Sequence, residues 1–92
     1  MDISFQKIGD KYISEFSVTG TFNLHIEGVL ARNVRLLQTT VPGSKYAEVK
    51  DSIFSDGSSN VYDCDFPVVV VPKNIKVICD SMPTMAVVTF AS

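Results

Sequence analysis

The stretch Thr21-Phe-Asn-Leu-His-Ile-Glu27 decides the fold class of this chain. Its apolar residues Phe22, Leu24 and Ile26 alternate with polar ones, and successive side chains of a β-strand point to opposite faces of the sheet. Strict alternation of this kind is typical of an antiparallel strand that is buried on one face and solvated on the other.

The same period of two continues on both sides of this stretch, and turn residues such as Gly9-Asp10 and Pro42-Gly43 interrupt it. No segment shows a helical period. Short strands at spacings of about 8 to 12 residues are typical of a sandwich or a small barrel. The other candidate strands are Ile3–Ile8, Tyr12–Thr19, Val34–Thr40, Tyr46–Lys50, Val61–Phe66, Ile75–Asp80 and Thr84–Phe90.

A chain of 92 residues fits one domain. It is too short to form two separate hydrophobic cores. We therefore predict that residues 1–92 form a single small antiparallel β-sandwich, immunoglobulin-like or jelly-roll-like, with roughly seven to nine short strands. The alternation also predicts the core residues, which are Phe16, Phe22, Leu24, Ile26, Val34, Leu36, Val49, Tyr62, Phe66, Val77 and Val87.

Charge and hydropathy exclude several classes of protein. The formal net charge is -2, and cations and carboxylates are interspersed. Nucleic-acid binding is not expected, because no basic patch is present to neutralise phosphates. A membrane span is not expected either, because such a span needs about 18 or more consecutive apolar residues. The first residues lack the cationic start and apolar block of a signal peptide, so we expect synthesis in a cytoplasm.

Two cysteines and one histidine are the thiol and imidazole groups that could bind zinc. Cys64 and Cys79 each fall in phase with apolar neighbours, which predicts two buried, reduced thiols that act as small hydrophobic residues. A disulfide between them is the alternative. A zinc site requires about four ligands, and His25 alone does not complete one. We expect no metal and no other cofactor.

Three features could carry chemistry. His25 has an unperturbed pKa near neutrality, and Asp63 and Asp65 flank Cys64 on one face of a strand, where paired carboxylates could serve a glycosidase or bind calcium. The polar loop at residues 55–60 could bind a cation or a sugar. No nucleophile elbow, calcium loop or phosphate loop accompanies them, so solvated surface is the expected role of all three and the chain is not expected to be an enzyme.

The order of features from Phe16 to Phe90 resembles a small β-sandwich of virion proteins in tailed bacteriophages. The matching segments are Phe22-Asn-Leu-His-Ile26, Val34-Arg-Leu-Leu-Gln-Thr39, Pro42-Gly-Ser-Lys-Tyr-Ala-Glu-Val49, Ile75-Lys-Val77 and Ala86-Val-Val-Thr-Phe90. The resemblance implies a structural role in the virion, as a capsid auxiliary or decoration protein that binds the shell, or as a base on which a fibre stands.

The partners that this resemblance implies are the major capsid protein or other virion subunits, in multiple copies or as a homo-oligomer. The implied location is the virion, after synthesis in the host bacterial cytoplasm. A carbohydrate- or receptor-binding module is the alternative function, since β-sandwiches are common in that class. A small cytoplasmic inhibitor or regulator also stays open.

The valine run Val68–Val71, between two prolines, does not alternate. A strand that is buried on both faces has this pattern, and the prolines place it at a sheet edge. An uncovered apolar edge favours aggregation, so another subunit is expected to cover it. The predicted contact residues are Ile3, Phe5 and Ile8 of the first strand together with Val68, Val69, Val70 and Val71.

Overall fold

The computed structural model describes residues 1–49, 59–66 and 71–90. These ranges contain eight strands and a short 3₁₀ turn at Ala31–Asn33, and no α-helix occurs in them. No helix of this part of the chain has the length and apolar character to cross a membrane. The strands are β1 (Gln6–Ile8), β2 (Lys11–Val18), β3 (Phe22–Glu27), β4 (Val34–Thr39), β5 (Ala47–Glu48), β6 (Val61–Phe66), β7 (Lys73–Cys79) and β8 (Met85–Phe90).

The strands form two antiparallel sheets, which confirms the predicted all-β fold. One sheet has five strands in the order β1-β2-β7-β4-β5, and the other has three in the order β6-β3-β8. The longer strands bury alternate residues that face the opposite sheet, as the burial pattern of β3 shows most clearly, whereas β1 and β5 bury none. The core therefore lies between the two sheets.

The pairing of the strands is nested. Strand β4 pairs with β5, β3 with β6 and β2 with β7, and the segment Met1–Ile3 pairs with β8 through the Asp2–Val87 bridge. Successive pairs of this nest alternate between the two sheets. This order is the one of a jelly roll, so the structure distinguishes between the two sandwich types that the alternation left open.

The first strand differs from the prediction, because the chain changes sheets within it. The amide of Ile3 donates to the carbonyl oxygen of Ala86 at 3.1 Å, and the amide of Val88 donates to the carbonyl oxygen of Met1 at 2.8 Å. After Phe5 the chain joins the other sheet, where β1 pairs with β2. The predicted strand Ile3–Ile8 was therefore wrong as a single element.

Gly9 forms the turn that the sequence predicted between β1 and β2. Its φ is +65°. The next residue, Asp10, does not have a positive φ, and neither does any other non-glycine residue described. A positive φ at the first central residue alone is the signature of a type II′ turn. Glycine adopts this conformation without the steric cost that a side chain would add.

Most of the predicted core is confirmed. Phe16 and Val49 are partly buried and pack against it, and nearly all the other predicted residues are fully buried. Val87 was assigned to the wrong face. Its neighbours Ala86 and Val88 are the buried residues of β8, and Val87 pairs with His25 on the outer face. Alternation is ambiguous where apolar residues are consecutive, so pairing rather than composition determines which of them is buried.

Aromatic rings fill the core at the end of the sandwich where β3 begins. Phe22 stacks on Phe66 with ring centroids 4.6 Å apart. Phe16 and Phe22 pack in a T-shaped arrangement, with ring centroids 6.1 Å apart and an interplanar angle of 89°. Stacked and edge-to-face geometries are the favourable ones for aromatic pairs. Phe90 lies opposite Phe22 in the register of β3 and β8, and it is 43% exposed.

Candidate functional site

The outer face of the three-stranded sheet carries the largest cluster of interacting polar side chains among the described residues. We call it the acidic face. Antiparallel pairing of β3 with β6 places His25 opposite Asp63 and Asn23 opposite Asp65, and the alternation of β3 directs Glu27 to the same side. The members that interact are Asn23, His25, Glu27, Asp63 and Asp65.

His25 is held between two carboxylates. Its Nδ1 lies 2.8 Å from Oδ2 of Asp63 and its Nε2 lies 2.7 Å from Oε2 of Glu27. A carboxylate only accepts hydrogen bonds, and a neutral imidazole has one N–H. Both contacts are satisfied together only when the ring is the doubly protonated imidazolium. In that state no ring nitrogen has a lone pair, so His25 is poorly placed to act as a general base.

The pKa values of His25 and Asp63 agree with this geometry. The hydrogen bonds to Glu27 and Asp63 raise the pKa of His25 above 6.5. The hydrogen bond from Asn23, followed by that from His25, lowers the pKa of the Asp63 carboxyl below 3.8. Both changes stabilise the charged forms.

Asn23 connects the two aspartates of β6. Its side-chain nitrogen donates to Oδ1 of Asp63 at 2.6 Å and to Oδ1 of Asp65 at 2.7 Å. Each amide hydrogen thereby bonds one carboxylate. The two carboxylates that the sequence singled out are therefore held by a carboxamide and an imidazolium. In the part of the chain that the structure describes, no group of three or more His, Cys, Asp and Glu side chains could hold a metal ion.

Sequence reasoning treated His25 and the two aspartates as separate features and missed Asn23 and Glu27. Alternation places Asn23, His25 and Glu27 on one face of their own strand. The missing information is which strand lies beside β3 and in what register, and both depend on contacts between distant parts of the chain. A histidine two residues before a glutamate on the polar face was the available signal.

The outer face of the five-stranded sheet has a different character, with ion pairs between neighbouring strands. Lys76 lies 3.5 Å from Glu15, and Arg35 lies 3.2 Å from Glu48. The ammonium group of Lys76 is also 4.3 Å from the ring centroid of Tyr46. Because each of these cations faces a carboxylate, this face presents locally neutralised charge, whereas the acidic face has no lysine or arginine among the described members of its strands.

The predicted contact residues fall in different environments. Ile3 and Phe5 pack against the core, so they stabilise the domain itself. Ile8 is 55% exposed and Val71 is 47% exposed, and both are free to contact another molecule. The predicted residues Val68, Val69 and Val70 lie outside the described residues.

Neither cysteine forms a disulfide, in agreement with the predicted reduced thiols. Cys79 is fully buried in the core, and this burial raises the pKa of its thiol to about 12. Cys64 is partly buried and packs against the core. A thiol with a raised pKa is a weak nucleophile near neutral pH, so Cys79 acts as a core residue.

The comparisons with known proteins add no relative to this description. No protein-family model, curated protein or solved structure matches the chain.

Proposed function

We propose that this chain is a non-enzymatic structural protein of a bacteriophage virion, a capsid auxiliary or decoration protein that binds the shell in many copies. The observation that carries the proposal is the nested jelly-roll pairing of its strands. Jelly rolls are the domains of many viral capsid proteins. This support is an analogy at the level of the fold, and the resemblance of the strand segments to phage virion proteins agrees with it.

Exposed apolar side chains are available for contacts with other molecules. Several large apolar residues are exposed in the part of the chain that the structure describes. Where such residues form a contiguous patch, they mark contacts with other molecules. Those described as exposed are Met1, Ile8, Val41, Val61, Val71, Met82, Met85 and Phe90. We propose that Ile8 and Val71 lie in contacts with the shell or with neighbouring copies.

Mass spectrometry of purified phage particles tests whether this chain is located in the virion. The chain should be present in phage particles from a lysate that expresses it, at a copy number comparable with that of shell subunits. Recovery of the chain in the soluble fraction alone, with none in the particles, would contradict the proposal.

Charge substitutions test the contacts. Ile8→Lys and Val71→Lys should each weaken binding to particles that lack the protein, because a buried contact would then desolvate an unpaired ammonium group. Ile8→Ala and Val71→Ala are the matched controls, and circular dichroism verifies that each variant keeps its β-sheet. Unchanged binding by both lysine variants would place the contact elsewhere.

A further inference from the structure

We propose that the outer face of the five-stranded sheet is a two-fold interface through which two copies of this chain form a weak dimer. The centre of this face is Ile13 on β2, which lies directly opposite Ile78 on β7. Both side chains point away from the core, because they alternate with buried residues of their strands. Such a dimer forms from the chain alone and does not depend on the virion role proposed above.

Apolar side chains lie on this face where a fully solvated sheet presents polar ones. Ile13 and Ile78 are partly buried. On the neighbouring strands, Ile8 is 55% exposed, and Leu37, which pairs with Lys76, is partly buried. Contact with another molecule would remove these side chains from water, which is favourable.

Four charged side chains surround the two isoleucines. We call them the charge quartet, and its members are Lys11, Glu15, Lys76 and Asp80. Lys11 lies 2.5 Å from Asp80 beyond one end of the isoleucine pair, and Lys76 lies 3.5 Å from Glu15 beyond the other. Each strand therefore carries one cation and one carboxylate, and the order on β2 is the reverse of the order on β7. The four charges alternate in sign around the apolar centre.

A quartet of alternating charges is complementary to a second copy of itself. In a symmetric dimer, a two-fold axis lies in the interface and each copy contributes the same patch. If the axis runs from Ile13 to Ile78, Lys11 of one copy meets Glu15 of the second copy. The same rotation places Lys76 against Asp80 of the second copy. An axis parallel to the strands also pairs each cation with a carboxylate, so the complementarity does not depend on one orientation.

The charges of the two outer faces favour this one. The ion pairs within the quartet are exposed, and exposed pairs contribute little to a fold, so little stability is lost when each charge also contacts a partner. The acidic face carries Glu27, Asp63 and Asp65 around His25. Two acidic faces would oppose like charges, which disfavours their contact.

The size of the face predicts the strength of the dimer. Its five strands, about 4.8 Å apart, make it about 20 Å wide, and the seven residues of β7 make it about 23 Å long. The projected area of roughly 450 Å² is about half of the 800 Å² or so that each partner buries in a standard stable complex. We therefore expect a Kd on the order of 100 µM.

Sedimentation equilibrium of the purified chain tests whether the dimer exists. The average mass should rise from that of a monomer towards that of a dimer between about 10 µM and 1 mM. A monomer throughout this range would overturn the proposal.

Amide NMR over the same dilution series tests which surface is in contact. Edge-to-edge pairing of β1 with its counterpart is the competing arrangement, because an edge strand is a template for pairing. The amide signals that change on dilution should be centred on β2 and β7. Changes confined to β1 would show that the sheet face is not the interface.

Charge-reversed copies test the quartet. Lys11→Glu combined with Lys76→Glu makes all four charges negative, and Glu15→Lys combined with Asp80→Lys makes them all positive. Each double variant alone should self-associate at least about tenfold more weakly than the parent, because like charges then meet. An equimolar mixture of the two should form heterodimers at least as tight as the parent dimer. Self-association of both variants at the parent strength would mean that the quartet does not face a second copy.

An apolar substitution distinguishes a defined contact from general attraction between oppositely charged proteins. Ile78→Thr keeps the β-branched shape and should weaken both the parent dimer and the heterodimer at least about threefold, because the contact then buries a hydroxyl group. Val61→Thr is the matched control on the outer face of the other sheet, where Val61 is 44% exposed, and should associate as the parent does. Unchanged association of Ile78→Thr, or loss of association by Val61→Thr alone, would contradict the proposed interface.

Discussion

At the scale of single residues, His25 is the most informative side chain in the molecule. The sequence identified it as the single histidine on the polar face of a strand, which the structure confirms. Its charge state follows from its two partners. Glu27 belongs to its own strand and could be inferred from alternation, whereas Asp63 is contributed by β6 and could not be inferred without the register.

The position of His25 predicts a dependence of stability on pH. Its pKa is raised in the folded chain above the reference of 6.5, so the stabilisation is complete below that reference and is lost as the pH rises through the raised value. For Asp63, whose pKa is lowered from 3.8, the stabilisation is present above that reference and is lost as the pH falls through the lowered value. Both contributions to the stability of the fold are therefore present between pH 3.8 and pH 6.5.

We expect His25→Gln to reduce this dependence. The parent chain should lose stability in urea unfolding between about pH 6 and a pH above the raised pKa, because His25 then loses its proton. The variant should lose less over the same interval. Glu27→Gln keeps the histidine and should lower its pKa in an NMR titration. Parallel pH profiles for the parent and His25→Gln would show that the carboxylate contacts do not stabilise the fold.

At the scale of elements, the sequence predicted most strands but not their arrangement. Alternation is a local property, so it located β3, β6 and β8 within one or two residues at their ends. It did not reveal the change of sheet between Ile3 and Gln6, because a change of partner leaves the alternation of side chains intact. It also misassigned Val87, since consecutive apolar residues satisfy either register.

Gly28 at the end of β3 provides a test of an element boundary. Its φ is +89°, and a Cβ placed there would lie 2.9 Å from the backbone nitrogen of Thr84. That nitrogen donates to the carbonyl oxygen of Glu27 at 2.9 Å, so it cannot move away without breaking the contact between β3 and the segment before β8. Gly28→Ala therefore combines an unfavourable φ, which costs about 1 to 2 kcal/mol, with a steric clash.

Two other glycines serve as matched controls for this substitution. Gly9 has a φ of +65° and open space around its Cβ position, and Gly20 has open space without a positive φ. Chemical denaturation should rank the loss of stability as Gly28→Ala, then Gly9→Ala, then Gly20→Ala, with the last close to neutral. If Gly28→Ala and Gly9→Ala cost the same, the contact with Thr84 does not limit the space at this boundary.

At the scale of the whole molecule, the two sheets are joined by one core, and Leu24 lies within it with no exposed surface. Leu24→Ala should cost about 2 to 5 kcal/mol out of a total on the order of 5 to 14 kcal/mol for a domain of this size. Val87→Ala is the control, because it also shortens an apolar side chain of the three-stranded sheet but on the outer face.

Urea unfolding measures both variants. Val87→Ala should cost less than about 1 kcal/mol, in line with a substitution outside the core. A similar loss for both variants would mean that the two faces of the three-stranded sheet are buried alike. Such a result would indicate that another molecule covers the outer face under the conditions of the measurement.

The nested order of the strands also determines when each part of the chain can become structured. Among the pairs of the nest, β4 and β5 are joined by the shortest connection. Every other pair encloses the pairs inside it, so the separation along the chain grows from β3–β6 to the contact of Met1–Ile3 with β8. Closing such long loops costs entropy before the contacts compensate for it. During translation, β3 and the edge of β2 that pairs with β7 therefore stay unpaired until later strands have been made. The apolar faces of β2 and β3 stay uncovered until the chain is nearly complete.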